Sequence, residues 1–402
     1  MSFYGWNDED IELVRSSFKK FCDQELTREY VRWMDENCDF VPDDLWRKLV
    51  DMGWMARNVP KEYGGQQEED ITPYAGLVCA EELATASVAV SLGVGAATGF
   101  GIGFINALGN EDQRKEYLPR LASGELKMCM ALTEPGGGTD IFNALRTTAV
   151  PDGNDFVING QKVFISAAHV ADYIVTIART NMNPPRRSEA FSIFLVDAKS
   201  PGITVRLIPK LGIKACGCCE IFYEDVRVPK ENLLGPLHKG YLYFLGGLGD
   251  AVRRGGMLNS ERLGTAMLSL GIAKAAYKDA YDYSLQREAF GKPIAAFQVI
   301  QHYLVEMAIQ IENARNLIYR CHSLALMGKP SHVEAQMAKV VAARASEYCA
   351  IKGMEILGGY GFTMEYDMQR HFRDYKQMVF APVTDEMALN TIGRLLGLPR
   401  CY

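Results

Sequence analysis

The sequence predicts an α+β protein with a helical part, a β part and a second helical part, in that order along the chain. Its 402 residues exceed what one hydrophobic core usually holds, so two or three domains are expected. Helical periodicity runs from about residue 8 to 126, alternation of apolar and polar residues follows to about 233, and helical periodicity returns beyond 240. The expected domains are an N-terminal helical domain (1–127), a middle antiparallel β domain (128–235) and a C-terminal helical bundle (236–402).

Local signals support each of the three parts. Helices are predicted from Asp10 onward and over 71–92, and Asn110 followed by acidic residues has the pattern of an N-cap. Strands are predicted over 173–177, 191–196, 203–207 and 221–228, and Asn159-Gly160 between two β-prone runs predicts a hairpin turn. Apolar residues spaced three or four apart predict a buried helix face in the C-terminal bundle: Ile300, Leu304, Met307, Ile311, Ala314, Ile318 and Cys321.

Composition narrows the classes of function. The net charge of −6 and the lack of a basic stripe argue against nucleic-acid binding. No uninterrupted apolar run is expected to reach transmembrane length, and the acidic N-terminal segment has no export signal. Ten scattered cysteines suggest a reducing compartment. These observations predict a cytoplasmic protein that is not inserted in a membrane.

A glycine-rich stretch after an apolar run is the first candidate site. Leu132-Thr133-Glu134-Pro135 leads into three consecutive glycines and Thr139-Asp140, which indicates a strand followed by an exposed turn. Glycines let backbone N–H groups approach a planar or anionic group, because no Cβ blocks the approach. Many glycine turns only reverse the chain, so the surrounding motifs decide the interpretation.

Six motifs, taken together, resemble the acyl-CoA dehydrogenase family over nearly the whole chain. They are Thr133-Glu134-Pro135-Gly136 with Thr139-Asp140, Ile158-Asn159-Gly160-Gln161-Lys162, Phe222-Tyr223-Glu224-Asp225-Val226 with Pro229, Arg287-Glu288-Ala289-Phe290-Gly291, Phe297-Gln298, and Gly358-Gly359-Tyr360-Gly361-Phe362. The resemblance implies the fold of that family, in which the C-terminal domain is a four-helix bundle. It also implies FAD, a CoA thioester substrate, a homotetramer, and transfer of electrons to an electron-transferring flavoprotein.

The resemblance also assigns roles to residues by position. Leu132, Thr133, Gly138 and Thr139 are expected to line the flavin ring and the pyrophosphate side, with Phe164 stacking on the ring and Ser166 near its N5 atom. Arg287, Phe290, Gln298, Glu355 and Gly359 are expected to reach the FAD of a neighbouring subunit, whereas Thr384 and Glu386 lie in the segment that closes over the flavin. Arg262 matches an arginine that the family keeps near the active site.

The position of the family's usual catalytic base is occupied by Pro382 in this chain. Proline is not a base, and it lacks the backbone N–H that would bind the thioester oxygen. In isovaleryl-CoA dehydrogenases and crotonobetainyl-CoA reductases a glutamate directly before the helix arginine is available, and Ser260-Glu261-Arg262 matches that pattern. We therefore expect Glu261 to remove the α-proton while hydride passes to flavin N5. The alternative is that Glu261 only pairs with a neighbouring cation.

A further departure from the family is about ten extra residues between Gly240 and Glu261. They contain Arg253 and Arg254, which could bind a second carboxylate of the acyl group, as in a 2-substituted succinyl-CoA such as the benzylsuccinyl thioester. A solvated loop or a subunit contact is the alternative explanation.

Other functions and sites remain open at this point. The same apparatus could run as an enoyl-CoA reductase of the crotonobetainyl type, or the chain could bind flavin and acyl-CoA without catalysis. Cys216-Gly217-Cys218-Cys219 has a Cys-x-x-Cys spacing without a second ligand pair, so a surface loop is favoured over a zinc site, and no metal is expected.

Overall fold

A computed structural model describes residues 8–66, 72–244 and 256–399. Its N-terminal part is helical. Within the described residues the helices there are α1 (Asp8–Glu25), α2 (Arg28–Asn37), α3 (Asp43–Asp51), α4 (Thr72–Ala86), α5 (Val88–Val94), α6 (Phe100–Leu108) and α7 (Glu111–Ala122).

Polar caps determine where several of these helices begin. The Asn110 side chain accepts a hydrogen bond from the Gln113 N–H, and the Gln113 side chain accepts one from the Asn110 N–H, each at 2.9 Å. This capping box confirms the predicted N-cap of α7. The stretch predicted as one helix over 71–92 is divided, because Ser87 has an extended backbone and caps α5.

The expectation that no apolar run reaches transmembrane length is wrong. Val88–Leu108 is long and apolar enough to span a membrane, with a mean hydropathy of 1.8. However, 61% of its most apolar window is buried inside the protein. Ile102, Phe104 and Ile105 pack in the cluster that also contains Leu118 and Leu121 of α7. The apolar residues of this segment are therefore explained by burial in the core, as in helices that are buried on several sides.

A twisted sheet forms the middle part. Its strands are β1 (Met128–Ala131), β2 (Thr148–Asp152), β3 (Asp155–Ser166), β4 (Tyr173–Arg179), β5 (Phe191–Asp197), β6 (Ile203–Leu207), β7 (Cys218–Pro229) and β8 (Leu233–Leu234), with the short helix α8 (Ile141–Ala144) between β1 and β2. The order is β6-β7-β3-β2-β4-β5-β8, and β1 pairs with β4. The predicted antiparallel arrangement holds except at β4, which pairs in parallel with β1 and, at one position, with β2.

The hairpin predicted at Asn159-Gly160 is wrong. Both residues lie inside the continuous strand β3, and the turn between β2 and β3 is made by Gly153 and Asn154. Gly160 instead lies at a register shift between β3 and β7. A Cβ at Gly160 would come within 2.4 Å of Thr147 Oγ1, so glycine is required there by close packing rather than by chain reversal.

The C-terminal part is the predicted helical bundle. After the short α9 (Gly240–Phe244), it contains α10 (Gly256–Gln286), α11 (Gln298–Leu326), α12 (His332–Leu357), α13 (Met368–Phe380) and α14 (Asp385–Leu395), with a small hairpin of β9 (Glu288–Ala289) and β10 (Lys292–Pro293) after α10. Helices α10 to α13 pack against one another as a four-helix bundle, and α14 packs on α12. The predicted apolar face of α11 is buried from Leu304 to Cys321.

A buried charge network joins the N-terminal helices to the bundle. The Glu81 carboxylate of α4 is fully buried and accepts hydrogen bonds from Lys274, Arg315 and Tyr319 at 2.8–3.1 Å. Arg15 of α1 adds an ion pair to the same carboxylate at 3.5 Å. Burial opposes the ionisation of Glu81, but these contacts outweigh it and lower the pKa of Glu81 from 4.5 to about 2. They fix α1, α4, α10 and α11 relative to one another.

Candidate active site

The glycine-rich loop after β1 is anchored by a buried ion pair. The Lys162 side chain from β3 is fully buried, and its Nζ atom donates to Glu134 Oε1 at 2.9 Å and to Leu132 O at 3.0 Å. The Glu134 carboxylate also accepts the N–H groups of Arg146 and Thr147. Burial disfavours ionisation of Glu134, but Lys162 and these donors hold the pKa below its ordinary value. The loop is therefore fixed at its base.

Beyond this anchor the loop is open on its outer side. Gly138 and Thr139 are exposed, and Thr133 is half-buried. A Cβ at Gly138 would meet no atom within 4 Å, so packing inside the chain does not require glycine there. The lack of a side chain leaves the outer face of the loop open to a ligand.

Phe164 and Ser166 lie beside the same loop, at the end of β3. The Val163 N–H donates to Thr133 O at 2.9 Å, which ties the strand to the loop. Phe164 falls in the register shift between Lys162 and Ile165, has a φ of 60°, and is 66% exposed. A left-handed backbone is costly for a residue with a Cβ, so an exposed ring held this way indicates a functional constraint. The structure thus brings Leu132, Thr133, Gly138, Thr139, Phe164 and Ser166 together.

Glu261 lies in the second turn of α10. Met257 and Leu258, one turn earlier, pack against the hydrophobic cluster that contains Leu132. The Glu261 carboxylate is partly buried and makes no hydrogen bond or ion pair in the part of the chain that the structure describes. Burial raises its pKa to about 7, and the neighbouring Arg262 charge only partly offsets this effect. A carboxylate with a pKa near neutrality and no fixed partner can take up and release a proton.

Arg262 is held near the chain segment that contains Pro382. Lys339 of α12 is fully buried and donates to Val379 O at 2.8 Å and to Asp385 Oδ1 at 2.5 Å. Burial lowers the pKa of Lys339, and the positive charge of Arg262 lowers it further. Arg262 is therefore close to Lys339. Pro382 lies between the two contacts of Lys339, so α10, α12 and the start of α14 converge at this point.

Thr384 and Glu386 are at this convergence as well. Thr384 caps α14 by accepting the Met387 N–H at 3.3 Å, and Glu386 is exposed in the first turn. Its own backbone N–H and the Thr384 hydroxyl lower the pKa of Glu386. Thr384 and Glu386, which lie near the end of the sequence, are therefore placed beside the start of α10.

The other predicted cofactor residues form a separate group at the far end of α10. Arg287 follows the last residue of α10, and its guanidinium lies 5.9 Å from the centre of the Tyr360 ring, next to Gly359. Phe290 is 95% exposed at the tip of the small hairpin, 6.0 Å from the Phe297 ring, and Gln298 and Glu355 are exposed nearby. At 1.5 Å per residue, 25 residues of helix separate this end from Glu261 by about 37 Å.

Some predicted residues fall elsewhere. Arg253 and Arg254 belong to 245–255, outside the described residues. The expectation that Cys216 to Cys219 form a surface loop is wrong for two of them, because Cys216 and Cys219 are fully buried. Burial raises the pKa of both thiols to about 11. No group of three or more possible metal ligands occurs in the described parts of the chain.

Sequence reasoning missed the structural roles of Lys162 and Lys339. Lys339 lies among the alanines of α12, and Lys162 continues the alternation of β3 that buries Phe156 and Ile158. A lysine on a core-facing position was the signal that would have found them.

The residues present fit a large planar, anionic cofactor. The exposed ring of Phe164, the open glycine loop and the half-buried Thr133 lie at the end of β3. Three glycines near Arg287 also have open space where a Cβ would be: Gly291, Gly358 and Gly359. The first group suits a flat ring, and the second suits phosphates, because guanidinium and unhindered backbone N–H groups bind them well.

Comparisons with known proteins agree with this geometry. The chain matches the family models described as acyl-CoA dehydrogenase N-terminal domain over residues 8–125, middle domain over 129–226 and C-terminal domain over 249–397. It is 34% identical over 390 residues to the caffeyl-CoA reductase–Etf complex subunit CarC of Acetobacterium woodii, covering 96% of this chain and 98% of that protein. It is 35% identical over 362 residues to an acyl-CoA dehydrogenase of Bacillus subtilis, covering 90% and 91% of the two chains.

Solved structures give the same result. Butyryl-CoA dehydrogenase from Megasphaera elsdenii has a TM-score of 0.87 at 30% identity, covering 98% of this chain and 100% of that one. An acyl-CoA dehydrogenase complexed with FAD from Bacillus anthracis has a TM-score of 0.84 at 28% identity, covering 97% and 67%. The fold and site thus define a flavin-dependent oxidoreductase that uses FAD and acts on the CH–CH bond of acyl-CoA thioesters. The chain belongs to the acyl-CoA dehydrogenase family.

Proposed function

We propose that this protein dehydrogenates an acyl-CoA thioester between Cα and Cβ, with Glu261 as the base that removes the α-proton. The observation that carries the proposal is the environment of Glu261, a partly buried carboxylate with a pKa of about 7 and no partner among the described residues. An α-proton of a thioester is a very weak acid, so a base with a raised pKa is better matched to it than an ordinary carboxylate.

The chain's own residues supply positioning and proton transfer. The Lys162–Glu134 pair fixes the loop that would hold the ring of the cofactor, and Lys339 fixes the segment that carries Pro382. Glu261 receives the α-proton on a carboxylate oxygen and holds it in a site of low polarity. FAD, when bound, supplies the acceptor for the hydride that leaves Cβ. Holding the base, the substrate and the hydride acceptor in the correct relative positions accounts for a large share of the rate enhancement by an enzyme.

The reverse reaction, reduction of an enoyl-CoA, is the second candidate. It is favoured by the similarity to the caffeyl-CoA reductase–Etf complex subunit. A glutamate with a pKa of about 7 is present in both its protonated and its ionised form around neutral pH, so it can donate a proton to Cα as well as accept one. In either direction an electron-transferring flavoprotein is the proposed electron partner. The direction depends on the redox potential of the acyl group and of that partner.

The two separated groups of cofactor residues support a proposed homo-oligomer. Arg287 follows the end of α10, which lies about 37 Å along the helix from Glu261. In such an arrangement the residues around Arg287 contact the cofactor of a neighbouring subunit, and the site is completed by a second copy of the chain. The homotetramer and the cytoplasmic location remain predictions, as does a carboxylate contact by Arg253 and Arg254.

Anaerobic titration of the purified yellow protein with a panel of acyl-CoA and enoyl-CoA thioesters tests the proposal. Bleaching of the flavin by one acyl-CoA supports dehydrogenation and identifies the acyl group. If the flavin is bleached by no acyl-CoA, but the dithionite-reduced protein is reoxidised by an enoyl-CoA, the reductase direction is correct. If neither occurs while the thioesters still bind, the non-catalytic alternative suggested by Pro382 is correct and our proposal is wrong.

A further inference from the structure

The Cys216 thiol is buried where the middle sheet meets the helical parts of the chain. The residue is fully buried and belongs to a hydrophobic cluster with Val88 of α5, Leu268 of α10 and Tyr375 of α13. Helices from both helical parts therefore pack around the loop that precedes β7. Close packing of this kind leaves a side chain few alternative positions.

Backbone contacts place Cys216 next to the end of β3. Ser166, the last residue of β3, pairs with the first residue of β7, and the Ala167 N–H donates to Gly217 O at 3.1 Å. A Cβ at Gly217, where φ is 30°, would come within 2.0 Å of His169 Cε1, so the close approach of the two segments requires glycine. Cys216 therefore lies beside Ser166, two residues before the residue with which Ser166 pairs.

The loop before Cys216 is held at Ile213. Asp374 of α13 accepts the Ile213 N–H at 2.6 Å, and Lys210 Nζ donates to Ile213 O at 2.5 Å. Ile213 has a φ of 51°, which is a costly backbone conformation for a β-branched residue. The two contacts maintain that conformation, so the position of Cys216 is fixed from the bundle as well as from the sheet.

The Ser166 hydroxyl is hydrogen-bonded to the Cys216 sulfur. Burial raises the pKa of this thiol to about 11, although the charge of Lys210 and the hydrogen bond from Ser166 oppose the effect. Cys216 therefore stays a thiol at neutral pH, and a thiol can both donate and accept a hydrogen bond. Among the described residues it is the one side chain that hydrogen-bonds the Ser166 hydroxyl.

A group beside flavin N5 has to meet opposite demands in the two oxidation states of the cofactor. Atom N5 of oxidised flavin accepts a hydrogen bond, whereas N5 of reduced flavin carries a hydrogen atom and donates one. The Ser166 hydroxyl, at the end of β3 among the residues that fit the flavin ring, can satisfy both states only by reversing its own direction. Reversal requires a second partner that donates in one state and accepts in the other, and a backbone N–H or carbonyl group does only one of these.

We propose that Cys216 is a positioning residue that keeps the Ser166 hydroxyl directed at flavin N5 in both oxidation states. With oxidised FAD, the Cys216 S–H donates to Ser166 Oγ, and the Ser166 O–H donates to N5. With reduced FAD, Ser166 Oγ accepts from N5, and its O–H donates to Cys216 Sγ. The serine and the cysteine keep their own protons throughout, and only the direction of the hydrogen bonds changes. This role requires bound FAD but neither Glu261 nor a particular direction of the reaction.

The reduction potential of the bound FAD tests this role. It is measured by anaerobic dithionite titration against a reference dye, without any thioester. Cys216→Ala leaves the Ser166 O–H without an acceptor in the reduced state. Loss of one hydrogen bond should lower the equilibrium constant for two-electron reduction by about three- to tenfold, which lowers the potential by about 15–30 mV. Cys216→Ser keeps a partner that donates and accepts, so it should retain the wild-type potential.

Two further variants separate positioning from a general disturbance of the loop. If Cys216 acts through Ser166, then Cys216→Ala should have no effect on the potential in a Ser166→Ala background. Cys219→Ala is the matched control, because Cys219 is equally buried in the next turn of the chain but its sulfur lies 3.6 Å from His169 Nδ1. This variant should keep the wild-type potential.

The outcomes that overturn the role are specific. They are an unchanged potential in Cys216→Ala, an equal shift in the Ser166→Ala background, an equal shift in Cys219→Ala, or a Cys216→Ser variant that shifts like the alanine variant. If Cys216→Ala does not retain FAD, the isosteric variants Cys216→Thr and Cys216→Val replace it. The threonine variant should then have the higher potential, and equal potentials would overturn the role. Absence of bleaching by every acyl-CoA would reject the proposed dehydrogenase but leave these potentials as expected.

Discussion

Replacing Glu261 by glutamine changes one atom of the side chain and removes the proposed base. The glutamine keeps the size of the side chain, so the contacts of α10 should be preserved. A general base typically contributes about 10²- to 10⁴-fold to a rate, which corresponds to about 3–5 kcal/mol in the barrier. We therefore expect flavin reduction by the best acyl-CoA to slow by at least about a hundredfold, with FAD still bound.

The same substitution should make the protein more stable at alkaline pH. The folded pKa of Glu261 is raised from 4.5 to about 7, so its contribution to stability is fully present below pH 4.5 and is lost as the pH rises through 7. A shift of this size corresponds to about 3 kcal/mol at 1.36 kcal/mol per pH unit, and partial exposure reduces the expected effect to about 2 kcal/mol. Glu261→Gln should therefore resemble the wild type at pH 4.5 and exceed it at pH 8.5.

Two measurements test both effects. Anaerobic stopped-flow absorbance follows flavin reduction from pH 5.5 to 8.5, where the wild-type rate should rise with an inflection near pH 7. Urea unfolding at pH 4.5 and 8.5 gives the stability difference. Glu224→Gln, at an exposed glutamate of β7, is the control and should match the wild type in both. A Glu261→Gln variant that reduces its flavin at the wild-type rate would refute the assignment of the base.

Three other substitutions test the framework of the site. Lys162→Met leaves the buried Glu134 carboxylate without its cation and should cost about 3–5 kcal/mol in urea unfolding, together with a lower affinity for FAD. Phe164→Ala removes a ring that is 66% exposed, so unfolding should change by less than about 1 kcal/mol while FAD dissociation, followed by flavin fluorescence, becomes faster. Arg287→Ala should also leave the stability of the monomer within about 0.5 kcal/mol but weaken FAD binding by about tenfold or more, measured by equilibrium dialysis. Arg47→Gln serves as the surface control for all three.

Each of these substitutions has an outcome that contradicts its premise. A loss below about 1 kcal/mol in Lys162→Met would mean that the ion pair does not anchor the loop. Unchanged FAD dissociation in Phe164→Ala would remove the stacking role of the ring. Wild-type FAD affinity in Arg287→Ala, at protein concentrations where the oligomer is intact, would mean that the far end of α10 does not contact the cofactor.

Local patterns in the sequence were sufficient for the order of the secondary structure. The face of α11 from Leu304 to Cys321 and the N-cap at Asn110 were predicted correctly, because both depend on residues within one or two turns of the same helix. The turn predicted at Gly160 failed because the reason for that glycine is Thr147, which is remote in the chain and adjacent in space. A two-residue signal cannot distinguish a turn from a close approach of two strands.

The sequence by itself determined the family, the sequence of α, β and α segments, and the set of residues from which the site is built. The tertiary structure alone decided the surroundings of those residues: Lys162 and Lys339 are buried in ion pairs, and burial raises the pKa of Glu261 to about 7. It also decided that Arg287 lies far from Glu261. The reason is that propensity and periodicity are local, whereas desolvation and charge pairing depend on which distant segments meet around a side chain.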